Sequence, residues 1–155
     1  MKWKPLAVGA LLIFAAAIPT YQAWAHSGAT GVVKTRMDHM DEIAASMKAI
    51  HRMVRGRVPL DADQVARHAD RLANSGGENL TSHFPEGSIS GPSEALPVIW
   101  EDWETFRELA VRLEREAAQL ARIAAADPAG LSTLADPFRA VARTCHTCHE
   151  AFRQP

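Results

Sequence analysis

Two cysteines and a histidine near the carboxyl terminus carry the strongest chemical signal in this chain. They lie in the run Cys145-His146-Thr147-Cys148-His149, a C-x-x-C-H pattern that holds the only two cysteines of the 155-residue sequence. On a helix, residues three apart share a face, so both thiols can meet the two vinyl groups of one porphyrin. His149 follows one step further along, where its imidazole can bind the iron. The pattern predicts one covalently attached haem c per chain.

Three alternative uses exist for such a cysteine pair. A disulfide would close so short a loop that it would add little stability to a helical domain. A thioredoxin-like dithiol is typical of a βαβ context, and the sequence shows no such pattern. A structural zinc site usually takes four ligands from two separated pairs, and only one pair exists here. The seven histidines nevertheless keep the zinc alternative open.

The amino terminus has the features of an export signal. A basic start precedes a short apolar run over residues 6–18, and Ala23-Trp24-Ala25 is an A-x-A cleavage site. We therefore predict a signal peptide over residues 1–25 and a mature domain over residues 26–155. The alternative is an uncleaved anchor whose aromatic residues sit at a membrane interface. Export together with c-type haem predicts a bacterial periplasmic protein of the Sec-exported kind, without membrane contact after cleavage.

The charge of the chain limits its partners. Removing Lys2 and Lys4 with the signal changes the formal net charge from −1 to −3, and two haem propionates would add about two more negative charges. A nucleic-acid-binding surface needs a concentrated basic face, which this balance does not provide. The expected partner is a periplasmic redox protein whose identity the sequence does not give.

The periodicity of apolar residues predicts helices and no strands. A first helix over residues 32–55 carries apolar positions at steps of three and four. A second helix begins at Asp61 or Asp63, both good N-cap residues, and stops at Ser75-Gly76-Gly77. A long loop over residues 78–96, rich in Gly, Pro and Ser, follows it.

Two further helices complete the prediction. The third covers residues 97–126, where apolar positions alternate steps of four and three as in a left-handed bundle. Asp127-Pro128 ends it, and Asp136-Pro137 has the form of an N-cap and first-turn proline that open the last helix. Both cysteines lie on the apolar stripe of that helix. The sequence therefore predicts an all-α four-helix bundle with the cofactor between its helices.

Several segments together resemble the class II cytochromes c, the cytochrome c prime superfamily, over nearly all of the mature chain. The haem motif near the carboxyl terminus is the most specific of them, because class I cytochromes c carry it near the amino terminus. Arg36, four residues before Met40, also fits the resemblance. The other matching segments are Met53-Val54-Arg55-Gly56, His83-Phe84-Pro85-Glu86-Gly87-Ser88, Ala95-Leu96-Pro97-Val98-Ile99-Trp100 and Thr144-Cys145-His146-Thr147-Cys148-His149-Glu150-Ala151-Phe152-Arg153.

The resemblance implies an antiparallel left-handed bundle with one covalent haem, a periplasmic location and often a homodimer. It implies His149 as the proximal iron ligand, Arg36 near a haem propionate and Arg153 bordering the proximal pocket. Trp100 and Trp103 are expected to pack near the haem, although large core residues would look the same. Pro137 departs from the family pattern, which leaves the start of the last helix shifted or kinked.

The family divides at the distal position, which falls on Met40. A methionine that binds iron there makes a low-spin electron carrier, whereas an unbound residue leaves a five-coordinate iron open to gases. Methionine on a helical stripe is most often a core filler, and three others on this helix, Met37, Met47 and Met53, are interpreted as packing. We favour a periplasmic low-spin carrier with His149 and Met40 as ligands, which is not an enzyme. The alternatives are a high-spin binder of nitric oxide or carbon monoxide and, more distantly, a haem-free bundle with a dithiol or zinc site.

Overall fold

Four long helices packed against one another dominate the architecture. The computed structural model of the protein describes residues 28–126 and 131–155, so the predicted signal peptide and the predicted helix end at Asp127-Pro128 lie outside the described residues. The helices within the described residues are α1 (Gly31–Val54), α2 (Ala62–Asn74), α3 (Gly77–Thr81), α4 (Val98–Glu101), α5 (Trp103–Ala126) and α6 (Leu131–Phe152). Helix α5 packs against α2 and α6, and α1 packs against α2. The predicted all-α, antiparallel left-handed four-helix bundle is confirmed.

The first two long helices begin and end close to their predicted limits. Helix α1 buries Ile43 and Ile50, which are two turns apart on its core-facing stripe. Asp61 is the N-cap of α2, and its side chain accepts a hydrogen bond from the backbone N–H of Gln64 at 2.9 Å. That bond satisfies one of the backbone donors that a helix start leaves without an intrahelical partner.

The connection after α2 is more ordered than predicted. The expected loop over residues 78–96 contains the short helix α3, which starts at Gly77, so the predicted loop limits are wrong at this end. A Cβ atom on Gly76 would lie 2.6 Å from the backbone nitrogen of Glu114 on α5. The glycine pair therefore stops α2 and also lets this corner approach α5 closely.

The predicted third helix is broken near its start. Asp102 has φ −123° and ψ 52°, which separates α4 from α5. Asp102 N–H closes α4 by donating to the carbonyl of Val98, and the Asp102 carbonyl accepts from Phe106 N–H in the first turn of α5. The break leaves Ile99 only 1% exposed and in the core. Sequence periodicity could not detect it, because the apolar steps continue across it.

The start of the last helix is also corrected. Helix α6 begins at Leu131, so Pro137 lies inside it and Asp136 is not its N-cap. Leu134 is fully buried and shares the core-facing stripe with Phe138 and Val141. Burial of a leucine contributes about 1.5–3 kcal/mol, which offsets part of the roughly 3 kcal/mol that an interior proline costs. The Asp136 carboxylate instead pairs with Arg139 one turn later on the helix surface.

No helix among the described residues is long and apolar enough to cross a bilayer.

A single apolar cluster joins all four long helices. The cluster contains aromatic residues from the loop, α5 and α6, and the two cysteines of α6 pack against it. The aromatic members are Phe84, Phe106, Phe138 and Phe152.

Candidate functional site

A cavity of about 620 Å³ opens between α1, α5, α6 and the loop after α3. Its walls are mainly apolar, which is typical of sites that hold a large flat cofactor. Helix α6 contributes Cys145, Cys148 and His149, and α1 contributes Met40. The apolar residues that complete the wall include Ile43, Leu80, Phe84, Ile99, Phe106, Leu109, Leu113 and Phe152.

The two cysteines share one face of α6 and are half-buried against the core. Both are free thiols, so the disulfide alternative is not what the structure shows. Burial raises the pKa of Cys148 to about 11, with a further contribution from Cys145, and burial also raises the pKa of Cys145. Reactive dithiols have lowered pKa values because the thiolate is the nucleophile. The pair therefore has the wrong environment for a thioredoxin-like function.

The zinc alternative also lacks support. The described part of the chain contains no group of three or more His, Cys, Asp or Glu side chains that could hold a metal ion. A structural zinc site needs four such ligands, and a catalytic one needs three. The histidines at positions 28–155 are instead dispersed over α1, α2, α6 and the loop.

His149 lies at the rim of the cavity, where α6 approaches its end. Desolvation by burial lowers the pKa of its imidazole, and the positive charge of Arg153 acts in the same direction. Both effects favour the neutral imidazole, which keeps a nitrogen lone pair available for a metal. The His146 ring is exposed on the outer surface of α6, 3.3 Å from a carboxylate oxygen of Glu150.

Met40 lines the same cavity from α1 and is half-buried. Met37 and Met47 line it too, whereas Met53 is 4% exposed and belongs to the core. Of the three methionines interpreted as packing, only Met53 is therefore purely a core residue. Met47 stands about 10 Å along the helix from Met40, so one iron cannot bind both.

Arg36 is almost fully buried, and its guanidinium hydrogen-bonds the loop. Its Nη2 donates to the carbonyl oxygen of Ser88 at 2.9 Å and to Oγ of Ser93 at 3.1 Å. Its guanidinium also lies 4.6 Å from the ring centroid of Phe84. Arg36 borders the cavity, but these contacts show that it also anchors the loop one turn before Met40.

Replacing Arg36 by Ala should lower the free energy of unfolding by about 2–3 kcal/mol, because the variant leaves buried loop acceptors without a charged donor. Arg52→Ala, at an exposed position on the same helix, should change it by no more than about 0.5 kcal/mol. Urea titration of the holoprotein followed by circular dichroism measures both. Equal midpoints for the two variants would contradict the anchoring role of Arg36.

Arg153 borders the cavity and fastens the other end of the loop. Its Nε donates to a carboxylate oxygen of Glu94 at 2.7 Å. The backbone adds an antiparallel bridge between Ala95 and Arg153, and Leu96 N–H donates to the carbonyl of Phe152 at 2.9 Å. The loop is thus tied both to α1 near Met40 and to the end of α6 just after His149.

Trp100 is not among the residues that line the cavity. Its indole N–H donates to the carbonyl oxygen of Phe84 at 3.0 Å, and the ring packs half-buried against the core. The predicted packing near the haem therefore differs from the contact in the structure, where Trp100 secures the loop. Phe84, Phe106 and Phe152 are the aromatic residues of the cavity wall, and none of the three was predicted for the site from the sequence. The place of Phe106 and Phe152 on apolar helical stripes could have suggested those two, whereas Phe84 lies in the loop, where no such pattern exists.

A second, polar cavity of about 500 Å³ lies between α1 and α2 and includes His39 and His68. His39 donates from Nε2 to the carbonyl of Ser75 at 2.9 Å, so its ring is directed toward the end of α2. His68 is half-buried, and burial lowers its pKa. These two histidines are separate from the large cavity, where His149 is the one imidazole among the described lining residues.

The residues of the large cavity fit a haem. Two thiols three residues apart, an adjacent neutral imidazole and a thioether from the facing helix are suitable attachment and iron-binding groups. An apolar wall of this volume suits a porphyrin plane. The two thiols and the imidazole are the groups expected from the sequence motif, and the thioether of Met40 is the one implied by the resemblance.

Known proteins agree with this interpretation. The sequence profile described as Cytochrome C' matches residues 31–153. Cytochrome c-556 of Agrobacterium fabrum is 31% identical over 125 residues, covering 81% of this chain and 82% of the relative. Cytochrome c' of Pararhodospirillum photometricum is 35% identical over 109 residues, covering 70% and 84%.

A solved structure shares the fold as well. The nitric oxide complex of a mutant cytochrome c prime from Alcaligenes xylosoxidans superposes with a TM-score of 0.70 at 26% identity, covering 80% of this chain and 94% of that one. The family is typically periplasmic. The match over residues 31–153, the helical bundle and the C-x-x-C-H cavity together place the chain in the cytochrome c' family, whose members carry covalently bound haem c.

Proposed function

We propose that this protein is a periplasmic one-electron carrier that catalyses no reaction. The observation that supports it is the meeting of two potential axial ligands at one cavity, His149 from α6 and Met40 from α1. If His149 and Met40 both bound the iron of a haem in this cavity, they would limit its reorganisation between oxidation states and leave no open position for a gas. Bound haem supplies an Fe(III)/Fe(II) couple, and a thioether ligand raises its potential relative to a second imidazole.

Each residue of the site has a stated part in this proposal. Cys145 and Cys148 would hold the porphyrin by thioether bonds, and the imidazole of His149 would be available to bind the iron. Met40 closes the distal side, and the apolar wall excludes water. Arg36 and Arg153 hold the loop against the cavity and, in our proposal, lie near a propionate and on the proximal side respectively.

A second function is supported by the relatives. Several are named cytochrome c', and one solved neighbour is a nitric oxide complex. In this alternative Met40 remains unbound, the iron is five-coordinate and high-spin, and the protein binds nitric oxide or carbon monoxide for sequestration or sensing. The half-burial of Met40 beside Met37 and Met47 is compatible with such a packing role.

The absorption spectrum of the reduced native protein separates the two functions. A carrier with Met40 bound should give a low-spin spectrum that carbon monoxide leaves unchanged at up to about 1 mM gas, because the gas must first displace a ligand. A high-spin spectrum that converts fully to an adduct would refute the carrier and establish the gas binder.

We also propose that residues 1–25 are a cleaved signal and that residues 26–155 form the mature domain. The mass of protein recovered from a bacterial periplasm should correspond to a chain that starts at His26 and carries one haem. Recovery in the membrane fraction with Met1 intact would identify the segment as an anchor.

Family members often form homodimers, and a homodimer of the mature domain is part of the proposal.

A further inference from the structure

Helix α5 presents an aromatic side chain to solvent close to the cavity. Trp103 is 37% exposed, and the other large hydrophobic residue exposed in the described part of the chain is Val111, on the same helix. A single exposed apolar residue is common on protein surfaces, and what distinguishes Trp103 is its position beside the cavity. The three other bundle helices expose no comparable residue within the described ranges.

A line of aromatic rings connects Trp103 with the cavity. The Trp103 ring lies 5.6 Å from the ring of Phe106, which is 2% exposed. Phe106 in turn contacts Phe152 at 5.4 Å and Phe84 at 4.8 Å in edge-on arrangements. All three phenylalanines line the cavity. Trp103 is thus a single ring away from the wall of the haem site.

The stretch of chain that holds Trp103 carries a net negative charge. Its sequence neighbours over residues 101–108 include the exposed carboxylates of Glu101, Asp102, Glu104 and Glu108. Arg107 is the one basic residue within that stretch, and Glu104 pairs with it. We call Trp103 together with these four carboxylates the Trp103 surface.

We propose that the Trp103 surface is the place where a redox protein with a positively charged face docks to exchange electrons. This inference rests on the proposed carrier function. Tryptophan is enriched at the centres of protein interfaces, and carboxylates at the rim attract a cationic partner and raise its association rate. The partner that fits has lysines or arginines around the exposed edge of its own cofactor.

The exchange itself is a simple one-electron step. The reduced carrier loses one electron, and the partner's cofactor gains it, while no bond forms or breaks and no proton moves. A partner seated on Trp103 lies against the ring line that ends at the cavity, and this keeps the tunnelling distance short. A docking position on the far side of the bundle would lengthen it.

The test uses a cationic and an anionic oxidant with the reduced holoprotein in a stopped-flow instrument. Tris(phenanthroline)cobalt(III) carries positive charge and flat aromatic ligands, and ferricyanide is its anionic counterpart. At about 0.01 M ionic strength, where the Debye length is about 30 Å, Glu101→Lys should slow oxidation by the cobalt complex about fivefold and speed oxidation by ferricyanide. Asp70→Lys makes the same charge change at an exposed position on α2, and it should alter either rate less than twofold.

Trp103 itself is tested by two substitutions. Trp103→Leu should slow oxidation by the cobalt complex about fivefold at both low and high salt, and Trp103→Phe should retain a rate within about twofold of the native one. Equal effects of Glu101→Lys and Asp70→Lys, or a native rate for Trp103→Leu, would overturn the proposal. The spectra of all variants are recorded first. A high-spin spectrum would refute the carrier function, whereas the comparison of rates would still report where the oxidant docks.

Discussion

Reduced Met40→Ala protein is expected to bind carbon monoxide readily, while the native protein does not. In our proposal the thioether occupies the distal iron position, and Ala cannot reach it from α1. If Met40 occupies the iron in about 99% of native molecules, its removal raises the apparent affinity for the gas about 100-fold. The reduction potential should fall at the same time, since a thioether favours the ferrous state. Titration with carbon monoxide, followed by absorption, measures the first effect.

Met47→Ala and Met37→Ala are the matched controls, because both side chains line the same cavity from the same helix. Each removes the same number of atoms as Met40→Ala, so a general loosening of the pocket would give all three variants similar affinities. Only the loss of an iron ligand should give Met40→Ala a higher affinity for carbon monoxide than the other two variants. An unchanged spectrum in Met40→Ala would eliminate it as the ligand, and a gas-binding Met37→Ala would transfer that role to Met37.

The helical part of the fold could be predicted because it depends on local patterns. The stripe through Ile43 and Ile50 follows from spacing alone, and the N-cap at Asp61 follows from side-chain chemistry. The errors arose where tertiary packing outweighed a local signal. Burial of Leu134 extends α6 back past Pro137, and burial of Ile99 is accompanied by a break at Asp102.

The residues of the site also divide into those that a local pattern predicts and those that depend on tertiary contacts. The positions of Cys145, Cys148 and His149 on one short stretch of α6 follow from the motif, because three- and four-residue spacing fixes their directions on a helix. The contacts of Arg36 could not be predicted, since its partners Ser88 and Ser93 lie more than fifty residues away in a loop without a regular pattern. The direction of the Trp100 indole depends on its hydrogen bond to the carbonyl of Phe84, which the sequence does not reveal.

The loop after α3 connects the two sides of the cavity, so a structural change on one side should affect the other. Arg36 holds it to α1 one turn before Met40, and Glu94 holds it to Arg153 one turn after His149. The ion pair with Arg153 is about half exposed on both sides, so its own contribution is at most about 1 kcal/mol. A structural change on one side of the cavity should therefore reach the other side mainly through the buried guanidinium of Arg36 and the backbone bridge at Ala95.

His149→Ala should abolish the native spectrum and leave the haem covalently attached. Cys145 and Cys148 are unchanged in the variant, so acid extraction should still fail to remove the porphyrin, which separates attachment from iron binding. Loss of the proximal bond should also lower the free energy of unfolding of the holoprotein by at least about 2 kcal/mol, as expected when a metal ligand is lost. Absorption spectra and urea titrations measure these two effects.

His146→Ala is the matched control, because it removes an imidazole from the same motif at an exposed position outside the cavity. His146 contacts only a surface carboxylate, and an exposed pair of this kind contributes less than about 1 kcal/mol. The two histidines have the same chemistry and differ in whether the helix turns them toward the haem site. Native ligation in His149→Ala, or equal loss in both variants, would mean that the iron takes its proximal ligand from elsewhere in the chain.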